Sequence, residues 1–143
     1  MPPVIEPYET FGYALKQAQQ AMRIRMDRAL SGIGLTAPQY AVLASLEAEP
    51  GASNATLARR AFVTPQTMQG MLVKLERNGM IARAPDAEHG RVRRTELTEA
   101  GRDALRRAHD VAAEVEGRVG AALDPIDPED AIRMLRRAAE ALR

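Results

Sequence analysis

SNATLARRAFVTPQTMQGMLVKLERNGMIAR, residues 53–83, carries two helix starts, a tight turn and a helix stop in close succession. Ser53 can accept a free helix N–H, and Leu57, Ala58 and Ala61 recur on one side of the short helix that follows. Thr64 repeats the capping signal, and Pro65 stands at the first helical position, where its missing N–H costs nothing. Asn78-Gly79 stops the second helix at about Arg77. A turn of about three residues therefore joins the two helices, which is the spacing of a helix-turn-helix.

Beyond Gly79 the period shortens. "MIARAP" (80–85) and "RVRRTEL" (91–97) read as short strands, and "DAEHG" (86–90) between them tolerates turn conformations. A helix-turn-helix followed at once by a β-hairpin is a winged helix. Upstream, apolar residues repeat at helical steps from about Tyr8 to Leu30 and stop at "SGIG", where Gly32 and Gly34 lie. "LTAPQYAVLASLEAEPG" follows: Thr36 is an N-cap, Gln39 completes a capping box, Leu35 can staple onto Tyr40, and the helix closes before Pro50-Gly51. Downstream, Thr98 caps a long helix that runs through Leu105, Ala108, Val115, Val119 and Ala122. "DPIDP" breaks it, and Asp127 with Pro128 starts a last helix to Leu142.

The expected fold class is mainly α with a small β-hairpin, a winged helix-turn-helix flanked by N- and C-terminal dimerisation helices. The parts are 1–34 (N-terminal dimerisation helix), 35–100 (winged helix-turn-helix) and 101–143 (C-terminal dimerisation helices), forming one compact domain overall. The pairing expectation comes from surface: the first helix and two terminal helices carry more apolar stripe than one small winged helix needs to cover itself.

Composition narrows the function classes. The 143 residues include no cysteine, which removes disulfides, thiolate metal sites and thiol redox sensing. The N-terminus has no basic region followed by an apolar run, and no stretch approaches the roughly 20 apolar residues of a membrane span, so a cytoplasmic protein is expected. Net charge is +1. Its distribution is uneven, because Arg59 to Arg107 holds eleven basic and six acidic residues, a net of +5, against nine and thirteen elsewhere, a net of −4. A positive centre between negative flanks suits a polyanionic partner.

The second helix of the motif buries Met68, Met71, Leu72 and Leu75 and leaves Gln66, Thr67, Gln69, Gly70, Lys74 and Arg77 on the other side. Gln can pair bidentately with adenine, and Thr can offer a hydroxyl to a base or phosphate. Such a face alone reads first as that of an ordinary amphipathic helix with a solvated polar side. Arg83, Arg91, Arg93 and Arg94, gathered on or beside the hairpin, add flanking phosphate contacts and favour duplex DNA.

"GLTAPQYAVLASLEAEPGASNATLARRAFVTPQTMQGMLVKLERNGMIAR" followed by "HGRVRRTELTEAGR" resembles the MarR family of winged-helix transcriptional regulators. The resemblance covers nearly the whole chain. It implies a homodimer whose terminal helices entwine, with a recognition helix in each major groove and a wing in each minor groove. By that resemblance Thr64, Gln66, Thr67 and Gln69 start the recognition helix and Arg91 stands at the wing tip; the residue pattern adds Lys74 further along the helix and Arg93 and Arg94 on the wing. Two departures stand out: His89 occupies the place of an aspartate that often orients the wing-tip arginine, and Gly70 that of a frequent basic residue, costing about 1 kcal/mol of helix propensity relative to Ala.

The resemblance also implies an effector, a small aromatic or phenolic ligand, in a cleft for which Tyr13, Met22, Arg25, Met26 and Tyr40 are candidates; as residues alone, the Met and Tyr side chains read first as core packing. Neither His89 nor His109 neighbours a nucleophile, and His109, Asp110 and Glu114 make a weak metal signal, so no catalytic residue, metal or cofactor is expected. The expected function is a sequence-specific repressor on a pseudo-palindromic operator. The alternative is a winged helix that docks another protein.

Overall fold

The computed structural model describes residues 6–85, 88 and 93–143. Its elements are α1 (Phe11–Leu30), α2 (Ala37–Ala48), α3 (Asn54–Ala61), α4 (Pro65–Arg77), β1 (Ile81–Pro85), β2 (Arg93–Leu97), α5 (Glu99–Ala122) and α6 (Pro128–Glu140). The order is that of a winged helix-turn-helix with helical extensions at both ends. The wing-tip residues 86, 87 and 89–92, which include His89 and Arg91, lie outside the described residues.

Side-chain caps set the helix starts. The Thr36 hydroxyl accepts from Gln39 N at 3.3 Å while Gln39 Oε1 accepts from Thr36 N at 3.0 Å, completing the expected box. Asp27, from α1, adds a partner that sequence spacing could not supply: its carboxylate accepts from Ala37 N at 2.6 Å and ties the two helices together. Ser53, Thr64, Thr98 and Asp127 cap α3, α4, α5 and α6 in the same way. Two boundaries differ from expectation, and the smaller difference is that α6 ends at Glu140, short of Leu142. The first helix begins at Phe11, not Tyr8, because the Thr10 hydroxyl accepts from Tyr13 N and Pro7–Glu9 forms a separate 3-10 turn.

Asn78-Gly79 ends α4 through paired backbone bonds, Met80 N to Leu75 O and Gly79 N to Glu76 O, each 3.0 Å, with Gly79 at φ +76°. The same corner starts α5. Thr98 N donates to Met80 O at 3.1 Å, and the Thr98 hydroxyl donates to Gly79 O at 2.6 Å. The end of α4 and the start of α5 are therefore pinned to each other at the root of the hairpin.

The strands pair antiparallel from Ile81 opposite Leu97 to Pro85 opposite Arg93. Leu30, Leu43, Leu46, Leu57, Met68, Leu72, Leu75 and Leu105 form the fully buried centre, contributed by α1 to α5. No residue of α6 is buried, and Ile132, Met134, Leu135 and, just beyond it, Leu142 are exposed. Tyr8, Phe11 and Leu15, at the start of the chain's helical part, are exposed as well. Among the described residues no single helix is long and apolar enough to cross a membrane.

Candidate nucleic-acid interface

Three fully buried residues, Met68, Leu72 and Leu75, fix the rotation of α4 about its axis. Gln66, Thr67, Gln69, Gly70 and Lys74 consequently face outward, all exposed. At the helix start the Thr64 hydroxyl accepts from Thr67 N at 3.1 Å and donates to the Thr67 hydroxyl oxygen at 3.0 Å. With Thr64 donating to it, the exposed Thr67 hydroxyl can still donate to an external acceptor. A Cβ at Gly70 would meet nothing within 4 Å among the described residues, so no packing among them calls for glycine there.

The turn between α3 and α4 is made by Phe62 in the left-handed region, φ 57°, with its side chain 93% exposed. Val63 N closes the turn on Ala58 O at 3.1 Å. Asn54, at the start of α3, donates from Nδ2 to Pro65 O at 3.4 Å and joins the beginnings of both helices.

Pleating sorts the wing arginines. Arg83 lies on the same strand face as the buried Ile81, two residues away, and its Nη2 donates to Gln69 Oε1 at 3.0 Å. Arg93 donates from Nη2 to Arg83 O at 3.5 Å. These two arginines with Ser53, Asn54, Ala55, Pro65 and Gln69 line a groove of about 440 Å³. Burial and then the like charge of Arg93 lower the Arg83 pKa, opposed by Glu76, and the two guanidinium groups lining the groove make it suit an anion. Arg83 Nε and Asn54 Oδ1 are buried there without a hydrogen-bond partner among the described residues. Arg94 turns elsewhere: its guanidinium covers Gly51, where a Cβ would lie 2.1 Å from Nη2, and it pairs with Glu96 at 3.7 Å.

Of the residues expected on the DNA side, the structure thus brings Thr64, Gln66, Thr67, Gln69, Lys74 and Arg93 to one surface and leaves Arg94 at the α2–α3 turn. Arg91 lies outside the described residues. Sequence reading missed Asn54, which looked like the residue after a cap, and gave Arg83 no contact of its own. The period-two step from Ile81 was the available signal.

The cleft candidates separate. Met22 and Arg25 line a groove of about 220 Å³ between α1 and α5 with Ala21, Val115, Arg118, Val119 and Ala122. Met26 packs against the core, and Tyr13 meets Tyr8 edge to face at 5.1 Å between ring centroids. Tyr40 instead joins the head to α5: its hydroxyl lies 2.8 Å from His109 Nδ1, and His109 Nε2 lies 2.9 Å from Glu47 Oε1. A neutral imidazole protonated on Nε2 satisfies all three, donating to Glu47 and accepting from the phenol.

Burial, then Glu47 and Glu116, raise the Tyr40 pKa above its ordinary value. The folded state therefore holds the phenol proton more tightly than the unfolded chain. Stability from this group is intact below the unfolded value of roughly 10 and is lost as pH rises through the folded value. Tyr40→Phe is expected to lessen the fall in melting temperature between about pH 9 and 11; an unchanged alkaline limb would contradict the linkage.

A recognition-type helix with an exposed polar face, a hairpin presenting arginines beside it and a groove suited to anions define a winged-helix DNA-binding protein. Comparison with known proteins gives the family. A family pattern described as MarR family matches residues 33–92. The HTH-type transcriptional repressor Rv2887 of Mycobacterium tuberculosis is 39% identical over 126 residues, 88% of this chain and 91% of its own. The chain belongs to the MarR family and is a winged-helix transcriptional regulator. Among solved structures, Rv2887 with DNA is 36% identical with a TM-score of 0.73, covering 90% of this chain and 97% of its own. The same protein with salicylic acid is 37% identical, TM-score 0.69, covering 94% and 96%. The PcaV regulator of Streptomyces coelicolor with its natural ligand is 28% identical, TM-score 0.82, covering 99% of both chains.

Proposed function

We propose that this chain is a transcriptional repressor that binds, as a homodimer, a pseudo-palindromic operator with half-sites about 34 Å apart, one helical turn. In this reading 35–100 is the DNA-reading part, and 1–34 with 101–143 pair the subunits. The carrying observation is the outward face of α4, Gln66, Thr67, Gln69 and Lys74, with Arg83 and Arg93 alongside. Occupancy of a promoter blocks polymerase without any catalytic group. That the similar protein Rv2887 is a transcriptional repressor supports the sign of the effect.

Gln66→Ala is expected to relax preference at one base pair per half-site, costing about 1–3 kcal/mol of discrimination there. Arg93→Ala should weaken binding to all sequences alike and reduce the salt slope by roughly 1. Fluorescence anisotropy with the operator and a scrambled duplex across a salt series separates the two. Identical effects from both changes would sink this division of labour.

The reading includes release by a small aromatic acid. The groove between α1 and α5 has apolar walls from Met22, Val115 and Val119 and two guanidinium groups, Arg25 and Arg118, a combination that suits an aromatic carboxylate. Salicylate is expected to lower operator affinity in the wild type and to lose that effect in Arg25→Ala/Arg118→Ala. Undiminished salicylate sensitivity in the double variant would rule this groove out.

A further inference from the structure

We infer that Arg83 sets the base preference of Gln69 by fixing which edge of its amide faces outward. The inference rests on the proposed DNA-reading role of α4 and names a residue that controls its specificity.

A free glutamine presents both an acceptor and a donor and can pair bidentately with adenine, taking the N6 proton and giving one to N7. Gln69 is not free. Arg83 Nη2 lies 3.0 Å from its Oε1, and a guanidinium has donors only, so the atom it meets must be the amide oxygen. The amide therefore has its oxygen turned toward the wing, with one lone pair taken by Arg83, and its NH2 as the edge directed away from the guanidinium, with no partner among the described residues. Gln69 itself is exposed, so that edge is available to a partner.

Arg83 is well placed to hold this orientation. It is half-buried on the inward face of β1, in register with the buried Thr95, and Arg93 anchors to its carbonyl oxygen at 3.5 Å. The β1 strand leads directly out of the stop that ends α4, so the guanidinium and the amide sit on elements joined by a rigid corner. A two-donor edge favours a base with two acceptors in the major groove. Guanine offers O6 and N7; adenine offers only N7 beside its own N6 donor, and cytosine opposes one donor with another.

The test is selection of random duplex DNA by the full-length wild type, Arg83→Ala, Arg83→Lys and Gln69→Ala, with melting curves to confirm that each is folded. Gln69→Ala identifies the position that Gln69 reads, as the column that flattens. In that column the wild type is expected to prefer guanine, Arg83→Ala to shift the adenine-to-guanine ratio upward by roughly tenfold or more, and Arg83→Lys, which restores a donor, to keep guanine. Other columns should retain their preferences while overall affinity falls with the lost charge. A column that flattens in Gln69→Ala but is unchanged in Arg83→Ala, or that prefers adenine in the wild type, overturns the inference. So does a selected symmetric site in which Gln69→Ala flattens nothing, and that result leaves the DNA-reading role standing. Absence of any selected site removes that role, and this inference with it.

Discussion

Gly101→Ala is expected to destabilise the fold by about 3 kcal/mol, although it replaces the weaker helix former with the stronger one. A Cβ at Gly101 would lie 2.0 Å from the Met80 carbonyl oxygen and 2.9 Å from its carbonyl carbon. That carbonyl cannot swing aside, because it accepts from Thr98 N and belongs to the backbone turn that ends α4. The start of α5 must lift instead. Lifting strains the Thr98 cap, its bond to Gly79 O and the junction with β1, so the loss exceeds the roughly 1 kcal/mol that alanine gains in an open helix. The melting temperature should fall by roughly 10 °C. Gly70→Ala is the matched control, because a Cβ there meets nothing within 4 Å among the described residues, and it should be stabilising by up to about 1 kcal/mol. Calorimetry of the two variants tests the contrast; a rise in both would show that the corner at Met80 is looser than its geometry implies.

Ile132→Asp/Leu135→Asp should convert the protein to a monomer and reduce operator affinity by roughly 100- to 1,000-fold. Both side chains are exposed in the isolated subunit, 46% and 40%, so removing them leaves no cavity in its core. The change falls on whatever covers α6. If that cover is a second subunit, two carboxylates per chain enter an apolar interface unpaired, and the dimer separates. Each half-site then binds independently, and the effective-concentration gain of about 10² to 10⁴ that links two heads is lost. Sedimentation equilibrium and operator titration of the same preparation read the two effects together. A variant that stays dimeric, or a monomer that holds the operator as tightly as wild type, contradicts the assignment of α6 to pairing.

Elements governed by local rules were readable from residues alone. Thr36 with Gln39, Ser53, Thr64 with Pro65, and Thr98 each satisfy helix N–H groups within three residues, so the signal and its partner share one short window. The buried set of α4 followed from period alone for the same reason. Contacts between elements were not legible. Asp27 caps a helix ten residues away, Tyr40 reaches His109 across the head, and Arg94 is claimed by Gly51 and Glu96. The start of α1 was misplaced because Tyr8 fits the apolar period, while the capping oxygen of Thr10 decides the boundary. At the candidate interface the recognition-helix face was visible in the pattern of Gln and Thr. The coupling of Gln69 to Arg83 was not, since it depends on how the strand crosses the helix.

The most direct test of the central claim, that the outward face of α4 reads operator DNA in a two-fold pair, is selection of random duplex DNA by the purified wild-type protein. Affinity for the enriched and scrambled sequences would then be measured over a salt series. The expected result is enrichment of a pseudo-palindrome with half-sites one helical turn apart, a steep salt slope and a preference of at least about a thousandfold. Weak, salt-insensitive binding with no enriched sequence would contradict it and would leave a protein partner as the occupant of that face.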